Sequence, residues 1–242
     1  MSTDYANKSG IEQIRQKFNG LVDKYSNLET GQATAVDSVR IARLIASVAS
    51  NVCPHAVELL DIGCGAGNYS IRIASGLPDI NVTLVDLSEK MLERAQQRLQ
   101  KITNGKITQT REDIRTIILK KNFYDIVVAG TSLHHLREDS DWEEVFGKIF
   151  NSLKPGGSFW ISDLIKHDNE KVHQALWEDY AKFLKDNLGE DVKNWVFEQM
   201  EIEDTPRSVG YQMELLKKVG FGYTEILHKN MIFAAFGGIK PE

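Results

Sequence analysis

Residues 57–67 read VELLDIGCGAG. Residues 57–62 form a short apolar run that stops abruptly at the glycines, and residues 69–74 (YSIRIA) resume as a helix. A short apolar run bounded by glycine reads as a buried strand. Strand, glycine turn and helix together make one β-α unit. Glycines in such a turn let a ligand lie against the backbone, and the helix N-terminus offers free N–H groups. A tight turn without a ligand would read the same way in isolation. A dinucleotide fingerprint would run G-x-G-x-x-G. Here the spacing is G-x-G-x-G, with Asn68 at the position of that motif's last glycine.

Towards the C-terminus the alternation continues. Residues 82–85 (VTLV) form a second buried strand ending at Asp86, and residues 88–99 a helix with Ser88 as its N-cap. Residues 106–110 form a third strand ending near Glu112 and Asp113. Residues 124–129 (YDIVVA) form a fourth, 141–153 a helix, 154–157 (KPGG) a turn and 158–164 a fifth strand. Strands alternating with helices predict right-handed crossovers and a mainly parallel sheet. Residues 221–228 and 231–236, separated by Lys229-Asn230, read as a closing hairpin after a helix over 208–219. The expected fold is α/β: a Rossmann-like, doubly wound, seven-stranded sheet, mostly parallel with an antiparallel last strand.

Towards the N-terminus, residues 11–25 and 33–49 have apolar residues at helical spacing. Residues 1–8 are polar and read as a frayed end, with no apolar run of the kind a signal peptide carries. The expected organisation is a helical cover over 1–50, a cofactor-binding core over 51–165, a helical, aromatic-rich insert over 166–206, and a last helix and hairpin over 207–242.

Composition bounds the function. The chain has 242 residues, 42% hydrophobic and 26% charged, with a formal net charge of -5. These are ordinary values for a globular protein. The acidic balance argues against non-specific binding to nucleic acid or anionic membranes. No stretch approaches the roughly 18 apolar residues of a membrane span. The two cysteines, Cys53 and Cys64, have no paired spacing, which excludes a disulfide scaffold and a structural zinc site. Both read as reduced thiols, and the compartment as cytoplasmic.

Three carboxylates follow the glycine loop in order. Asp86 stands nineteen residues beyond Gly67 at a strand end, where a carboxylate can accept from both hydroxyls of a ribose. Asp113 ends the next strand, where it can accept from the exocyclic amine of a base while Ile114 packs on the ring. Asp163 ends the fifth strand, on the side where ligands bind such sheets. Asp is common at strand ends, so Asp113 alone carries little, but in order with the glycine loop and Asp86 it carries weight; Asp163 is a further candidate.

These motifs together resemble class I S-adenosylmethionine-dependent methyltransferases: Asp61-x-Gly63-x-Gly65-x-Gly67, Asp86, Glu112-Asp113, Tyr124-Asp-Ile-Val-Val, Leu133-His-His-Leu and Leu153-Lys-Pro-Gly-Gly. The chain looks most like the small-molecule branch that holds the ubiquinone/menaquinone C-methyltransferases. The match covers residues 57–164, and the terminal hairpin fits the same fold. The resemblance implies S-adenosylmethionine as cofactor and S-adenosylhomocysteine as product. It implies that Gly63, Cys64 and Gly65 lie under the methionine and ribose, with Asp61 and Gly67 nearby. Asp86 would bind the ribose, Leu87 and Met91 would line the adenine pocket, and Asp113 with Ile114 would hold the adenine. Gly130-Thr131 would lead to the methionine end. Tyr25 resembles the tyrosine of the family's cover and could close over the sulfonium methyl or simply pack its helix.

The Leu-His-His-Leu stretch is frequent in the resembling family across different substrates, which implies a mainly architectural role, with one of His134 and His135 a candidate for a general base facing the substrate. Adjacent histidines at a helix start are expected to point apart, so one metal would not take both, and no metal is expected. His173, Trp177 and Tyr180 fall on one helix face that could line a substrate chamber or pack as a core stripe. Residues 198–204 (EQMEIED) read as a solvated acidic face or a connection. The expected partner is a small-molecule acceptor, with neither nucleic acid nor membrane, and the insert offers a surface on which two subunits could pair.

Two further readings compete. The C-terminal part, with Asp204-Thr205 and Leu216-Lys-Lys-Val-Gly-Phe221, also resembles carboxy-S-adenosylmethionine synthase of tRNA wobble modification. That enzyme needs an Arg in the insert to hold the added carboxylate. Residues 194–198 (NWVFE) offer none, although Arg207 lies not far along. A non-catalytic cofactor-binding protein is the other reading. An inactive relative is expected to lose the glycines or Asp86, and this chain keeps them. RNA methylation is disfavoured by the acidic charge and by the lack of a basic appendage.

Overall fold

A computed structural model describes residues 7–242; residues 1–6, most of the expected frayed end, lie outside them. The sheet contains β1 (Glu58–Ile62), β2 (Asn81–Asp86), β3 (Ile107–Arg111), β4 (Tyr124–Gly130), β5 (Leu153–Leu164), β6 (Tyr223–Asn230) and β7 (Phe233–Ile239). Its order is β3-β2-β1-β4-β5-β7-β6. The first five strands pair in parallel, and β7 pairs antiparallel with both β5 and β6. The order reverses at β1, which lies between β2 and β4. That reversal opens a crevice at the strands' carboxyl ends.

Helices cover both faces. Helices α3 (Ser38–Val52), α4 (Asn68–Ala74) and α5 (Glu89–Leu99) pack on one face, where Ile45, Leu59, Ile73, Leu84 and Trp160 are buried together. On the other face α6 (Asp139–Ser152) and α9 (Val209–Val219) bury Trp142, Phe146, Phe159, Leu216 and Phe236. Both faces of β1 and β4 are therefore dry, which is why their sequences read as apolar runs without alternation. Ser88 caps α5 as expected, its hydroxyl accepting from the Met91 N–H at 3.2 Å. Ser88→Ala is expected to cost about 1 kcal/mol, read as a lower denaturant midpoint. Gly220 (φ 119°) ends α9 in the left-handed region.

The structure departs from the sequence reading at several points. The helix expected over 11–25 is broken into α1 (Ile11–Gly20) and α2 (Val22–Tyr25). Leu21 at the break has φ -110° and ψ 11°, outside the helical region. The helix expected from residue 33 begins only at Ser38, because Asp37 sits at φ 57° with its carboxylate held by His228 and Asn230. The turn at 154–157 is an irregularity inside β5, where the register with β4 slips between Tyr124 and Ile126.

The insert forms α7 (Glu170–Leu188) and α8 (Glu190–Glu203). It buries Tyr180, Leu184 and Val196 against Leu164, Ile232 and Phe233 in a separate cluster. Among the described residues no helix is long and apolar enough to cross a membrane.

Candidate functional site

A cavity of about 380 Å³ lies at the carboxyl ends of β1, β2 and β4. Its floor is the glycine loop, residues 63–66. Three of the loop's glycines take positive φ: Gly63 at 62°, Gly65 at 50° and Gly67 at 79°. At Gly63 a β-carbon would also fall 2.4 Å from Ser132 Cβ, so both the conformation and the space demand glycine. At Gly65 nothing lies within 4 Å of where a β-carbon would stand, and the backbone faces the cavity bare. Gly67 does not line the cavity. It caps α4 and lets α5 approach, with Ala95 3.1 Å from its absent β-carbon.

Asp86 lines the cavity from the end of β2. Its Oδ2 accepts from the Gly65 N–H at 2.8 Å and its Oδ1 from the Ser88 N–H at 2.8 Å. Each oxygen keeps a lone pair for a ligand. Burial raises its pKa, and the backbone N–H bonds only partly offset this. Leu87, Met91, Asp113 and Ile114 line the same cavity further along. Asp113 is gripped by Arg115, whose Nε lies 3.0 Å from Oδ1 and whose Nη2 lies 2.5 Å from Oδ2. Burial pushes this carboxyl up, but the guanidinium outweighs burial and holds it below the usual carboxylate range. Arg115 also lines the cavity and was not singled out from the sequence.

Asp61 stands behind the loop. It is 1% exposed, does not line the cavity, and accepts from the Ser70 hydroxyl at 2.5 Å. Burial pushes its pKa up to about 7, against the lowering effect of Ser70. Asp61 and Asp86 are thus two acids that a cationic ligand would help to ionise. Binding of such a ligand is expected to tighten between pH 6 and pH 8 and to release protons below neutrality. Calorimetry in buffers of different ionisation enthalpy would register both effects.

The far end of the cavity is closed by the N-terminal cover. Ile11, Ile14, Phe18 and Tyr25 line it, together with Gln32, Gly130, Thr131 and His135. Tyr25 stands 5.9 Å from Phe18, ring to ring, and Phe18 stands 6.2 Å from His135. Burial, then the nearby Glu203 and Asp204, push the Tyr25 phenol up to about 12, so it stays protonated at neutral pH. Gln32 Nε2 donates to Thr131 Oγ1 at 3.1 Å, tying the cover to the end of β4. No spacing in the sequence marks Gln32, which falls between the two segments of helical spacing, 11–25 and 33–49. The cover is also strapped to the insert: the Ser9 N–H donates to the Ile202 carbonyl at 2.7 Å.

Two candidates lie one layer back from where the sequence put them. Asp163 is fully buried and does not line the cavity. It accepts from His134 Nδ1, from the His134 N–H at 3.1 Å and from the Leu164 N–H at 2.8 Å. His134 is also absent from the lining, and only His135 reaches it. Burial alone would lower the His134 pKa, but Asp163 and Asp204 outweigh it and push it up to about 9. Burial, then the charge on His134, drive His135 well below the ordinary imidazole value.

The histidines do not point apart. Their ring centroids stand 4.3 Å from each other, because Leu133–His135 is a single 3-10 turn and not the start of an α-helix. Asp204 meets both of them. The end of the acidic run 198–204 is therefore not a solvated face: Glu203 is 4% exposed and ion-paired with Lys17, and Asp204 is turned inward against the histidines.

His173, Trp177 and Tyr180 do share one helix face, but none of them lines the cavity. Trp177 packs on Phe197 at 4.7 Å, and the Tyr180 hydroxyl donates to the Thr34 carbonyl at 2.8 Å. The face is consumed in packing α7 on α8 and in holding the insert to the cover.

Known proteins bear on this geometry in three ways. Residues 59–157 match a family model described as "Methyltransferase domain". The chain is 28% identical over 227 residues to a demethylmenaquinone methyltransferase of Leptospira interrogans, covering 91% of this chain and 88% of that protein. It is 25% identical over 207 residues to a carboxy-S-adenosyl-L-methionine synthase of Cronobacter sakazakii, covering 83% and 81%. Two solved structures share the fold. Human N-acetylserotonin methyltransferase in complex with S-adenosylmethionine has TM-score 0.60, 16% identity, and covers 98% of this chain and 64% of its own. The [4+2]-cyclase SpnF has TM-score 0.65, 14% identity, and covers 97% of both. A cyclase on the same fold is a reminder that the sheet alone does not choose the reaction.

Proposed function

Because the chain belongs to the class I S-adenosylmethionine-dependent methyltransferases, we infer that it moves a methyl group by in-line displacement to a small-molecule acceptor at the Tyr25–His135 end of the cavity. The observation that carries this reading is the single continuous cavity. It runs from Asp113 past Asp86 and the bare Gly65 backbone to an aromatic, closed end. Residues of the right chemistry stand in the order in which adenine, ribose and methionine would meet them. When bound, S-adenosylmethionine supplies an electrophilic methyl on a sulfonium.

The chain's own residues do the rest. Asp86 holds the ribose hydroxyls, and Asp113 and Ile114 hold the base. Tyr25 and Phe18 present aromatic faces that favour a cation and exclude water. Positioning an acceptor behind the methyl supplies much of the rate gain. His135, neutral and lining the cavity, is the group placed to take a proton from an acceptor hydroxyl or acidic carbon. The likeness to a demethylmenaquinone methyltransferase supports a phenolic or hydroquinone acceptor. Two free cysteines and the absence of a membrane-crossing helix among the described residues support a cytoplasmic setting. The cover, core, insert and closing hairpin are assigned to 1–50, 51–165, 166–206 and 207–242.

The carboxy-S-adenosylmethionine synthase reading gains from the relatives of that name, but the site argues against it. Arg207 does not line the cavity. It lies on Trp142 and Tyr211 and reaches Asp139 at 2.9 Å.

Incubation with methyl-labelled cofactor and a panel of apolar phenols and hydroquinones tests the reading. Label should pass to an acceptor with stoichiometric S-adenosylhomocysteine. A carboxylated cofactor in the mass spectrum would select the synthase reading. Tight cofactor binding with no transfer to any acceptor class would leave a binding protein.

A further inference from the structure

Beside the closed end of the cavity, three ligating side chains converge that the methyl-transfer reading uses only in part. His134 Nε2 lies 3.6 Å from Asp204 Oδ1, and His135 Nδ1 lies 3.4 Å from the same oxygen. All three ligand atoms fall within 4.8 Å of one another. We propose that His134, His135 and Asp204 form a binding site for one divalent first-row transition ion, with its open positions directed at the acceptor end of the cavity.

Four observations carry this. The first is spacing. Nitrogen and oxygen ligands at about 2.0–2.2 Å from a tetrahedral ion stand roughly 3.4 Å from each other, and the two contacts to Asp204 are of that length.

The second is an unmet valence. His135 Nδ1 is buried and makes no well-aligned hydrogen bond, although it lies 3.4 Å from a carboxylate oxygen. A buried polar atom left this way is destabilising unless something fills the gap. An ion held jointly by the ring nitrogen and the carboxylate would fill it.

The third is the support behind His134. Its Nδ1 is bonded to Asp163, which is itself pinned by the N–H groups of His134 and Leu164. With Nδ1 engaged by a carboxylate, a neutral His134 presents its Nε2 lone pair towards Asp204. A carboxylate behind a ligating histidine is the usual outer support of protein metal sites.

The fourth is charge. Glu203 is neutralised by Lys17, which leaves the carboxylates of Asp163 and Asp204 around the two rings. An ion binding at His134 Nε2 would displace the proton these carboxylates otherwise hold on that ring, and its two charges would then balance the pair.

Two imidazoles and one carboxylate suit Zn²⁺, Co²⁺ or Fe²⁺ better than Mg²⁺ or Ca²⁺, which prefer all-oxygen shells. Three protein ligands leave a position for an exchangeable oxygen, as in catalytic zinc sites. His135 lines the cavity, so that oxygen would belong to the acceptor; with the ion held, His135 is engaged through Nδ1 and the ion, not the ring, would help the acceptor to ionise. This last role rests on the methyl-transfer reading, whereas the ion site itself does not.

The test uses full-length protein treated with chelator, titrated with Co²⁺ and separately with Zn²⁺. One equivalent of Co²⁺ should give visible ligand-field bands of a nitrogen/oxygen site, and Zn²⁺ should displace it. Imidazole ¹⁵N resonances of two histidines should move on adding Zn²⁺. Asp204→Asn and His135→Gln should each weaken Zn²⁺ binding about 10–100-fold, with the far-UV circular dichroism of the wild type. The ¹⁵N spectrum of the wild type decides if a variant fails to fold. Absence of the Co²⁺ bands, or Zn²⁺ affinity unchanged in both variants, overturns the proposal. S-adenosylmethionine titration of the same samples keeps the two readings apart. Cofactor binding without Co²⁺ binding sinks the ion site alone, and Co²⁺ binding without cofactor binding sinks the methyl-transfer reading alone.

Discussion

Asp86→Ala is expected to weaken S-adenosylmethionine binding at least a hundredfold while leaving the protein folded. The carboxylate lines the cavity with one lone pair on each oxygen not taken by the backbone. Two ribose hydroxyls donating to a charged acceptor contribute about 1.5–3 kcal/mol each. Losing both therefore removes about 3 kcal/mol or more, over a hundredfold in Kd. Asp86→Asn should lie between, because an amide keeps one acceptor and loses the charge. S-adenosylhomocysteine has the same ribose and should weaken in parallel, which separates this effect from one on the sulfonium. Unchanged affinity for either ligand in Asp86→Ala would remove Asp86 from the site.

Gly130→Ala is expected to damage the fold and the site together. A β-carbon at Gly130 would fall 2.1 Å from Tyr69 Cε2 and 2.4 Å from Cδ2. Tyr69 is only 4% exposed and cannot swing into solvent. Either β4 or the ring must shift, at a cost typical of overpacking, about 1–3 kcal/mol. For a chain of this size that lowers Tm by roughly 2–12 °C. Gly130 and Tyr69 both line the cavity, so cofactor affinity should fall by more than the stability loss alone would produce. A variant with wild-type Tm and wild-type affinity would show that the β4 end is slack.

The core of this fold is readable because its signals are local. Residues 57–74 announce strand, loop and helix in eighteen consecutive positions, and Ser88 caps the helix that follows Asp86. Dry parallel strands such as β1 and β4 carry continuous apolar runs that short-range pattern reading detects well. Placement fails where several elements decide it jointly. Nothing near Asp37 in sequence predicts that His228 and Asn230, from β6, will hold its carboxylate and delay α3. The break at Leu21 gives no warning in an otherwise helical pattern.

The site shows the same division. Gly63, Cys64, Gly65, Asp86 and Asp113 can be named as cavity residues from spacing, because the sheet fixes where strand ends lie, whereas Asp61, Gly67 and Asp163, named the same way, stand behind the lining. Gln32, Arg115 and Asp204 could not be named this way. Asp204 looked like the tail of a solvated acidic run, yet the strap from Ser9 to Ile202 and the Lys17–Glu203 pair turn that end of α8 inward. The histidine pair was misread for a geometric reason. Adjacent side chains diverge on an α-helix, but the short 3-10 turn at 133–135 brings the rings to 4.3 Å. The aromatic face of α7 was recognised as a face. Its partner, the cover and the start of β7, could come only from the tertiary structure.

The most direct measurement is a calorimetric titration of the purified protein with S-adenosylmethionine and, separately, with S-adenosylhomocysteine. Saturable micromolar binding of both, abolished by Asp86→Ala, is the expected result. No heat with either ligand, on protein shown to be folded, would contradict the assignment of this cavity to the cofactor.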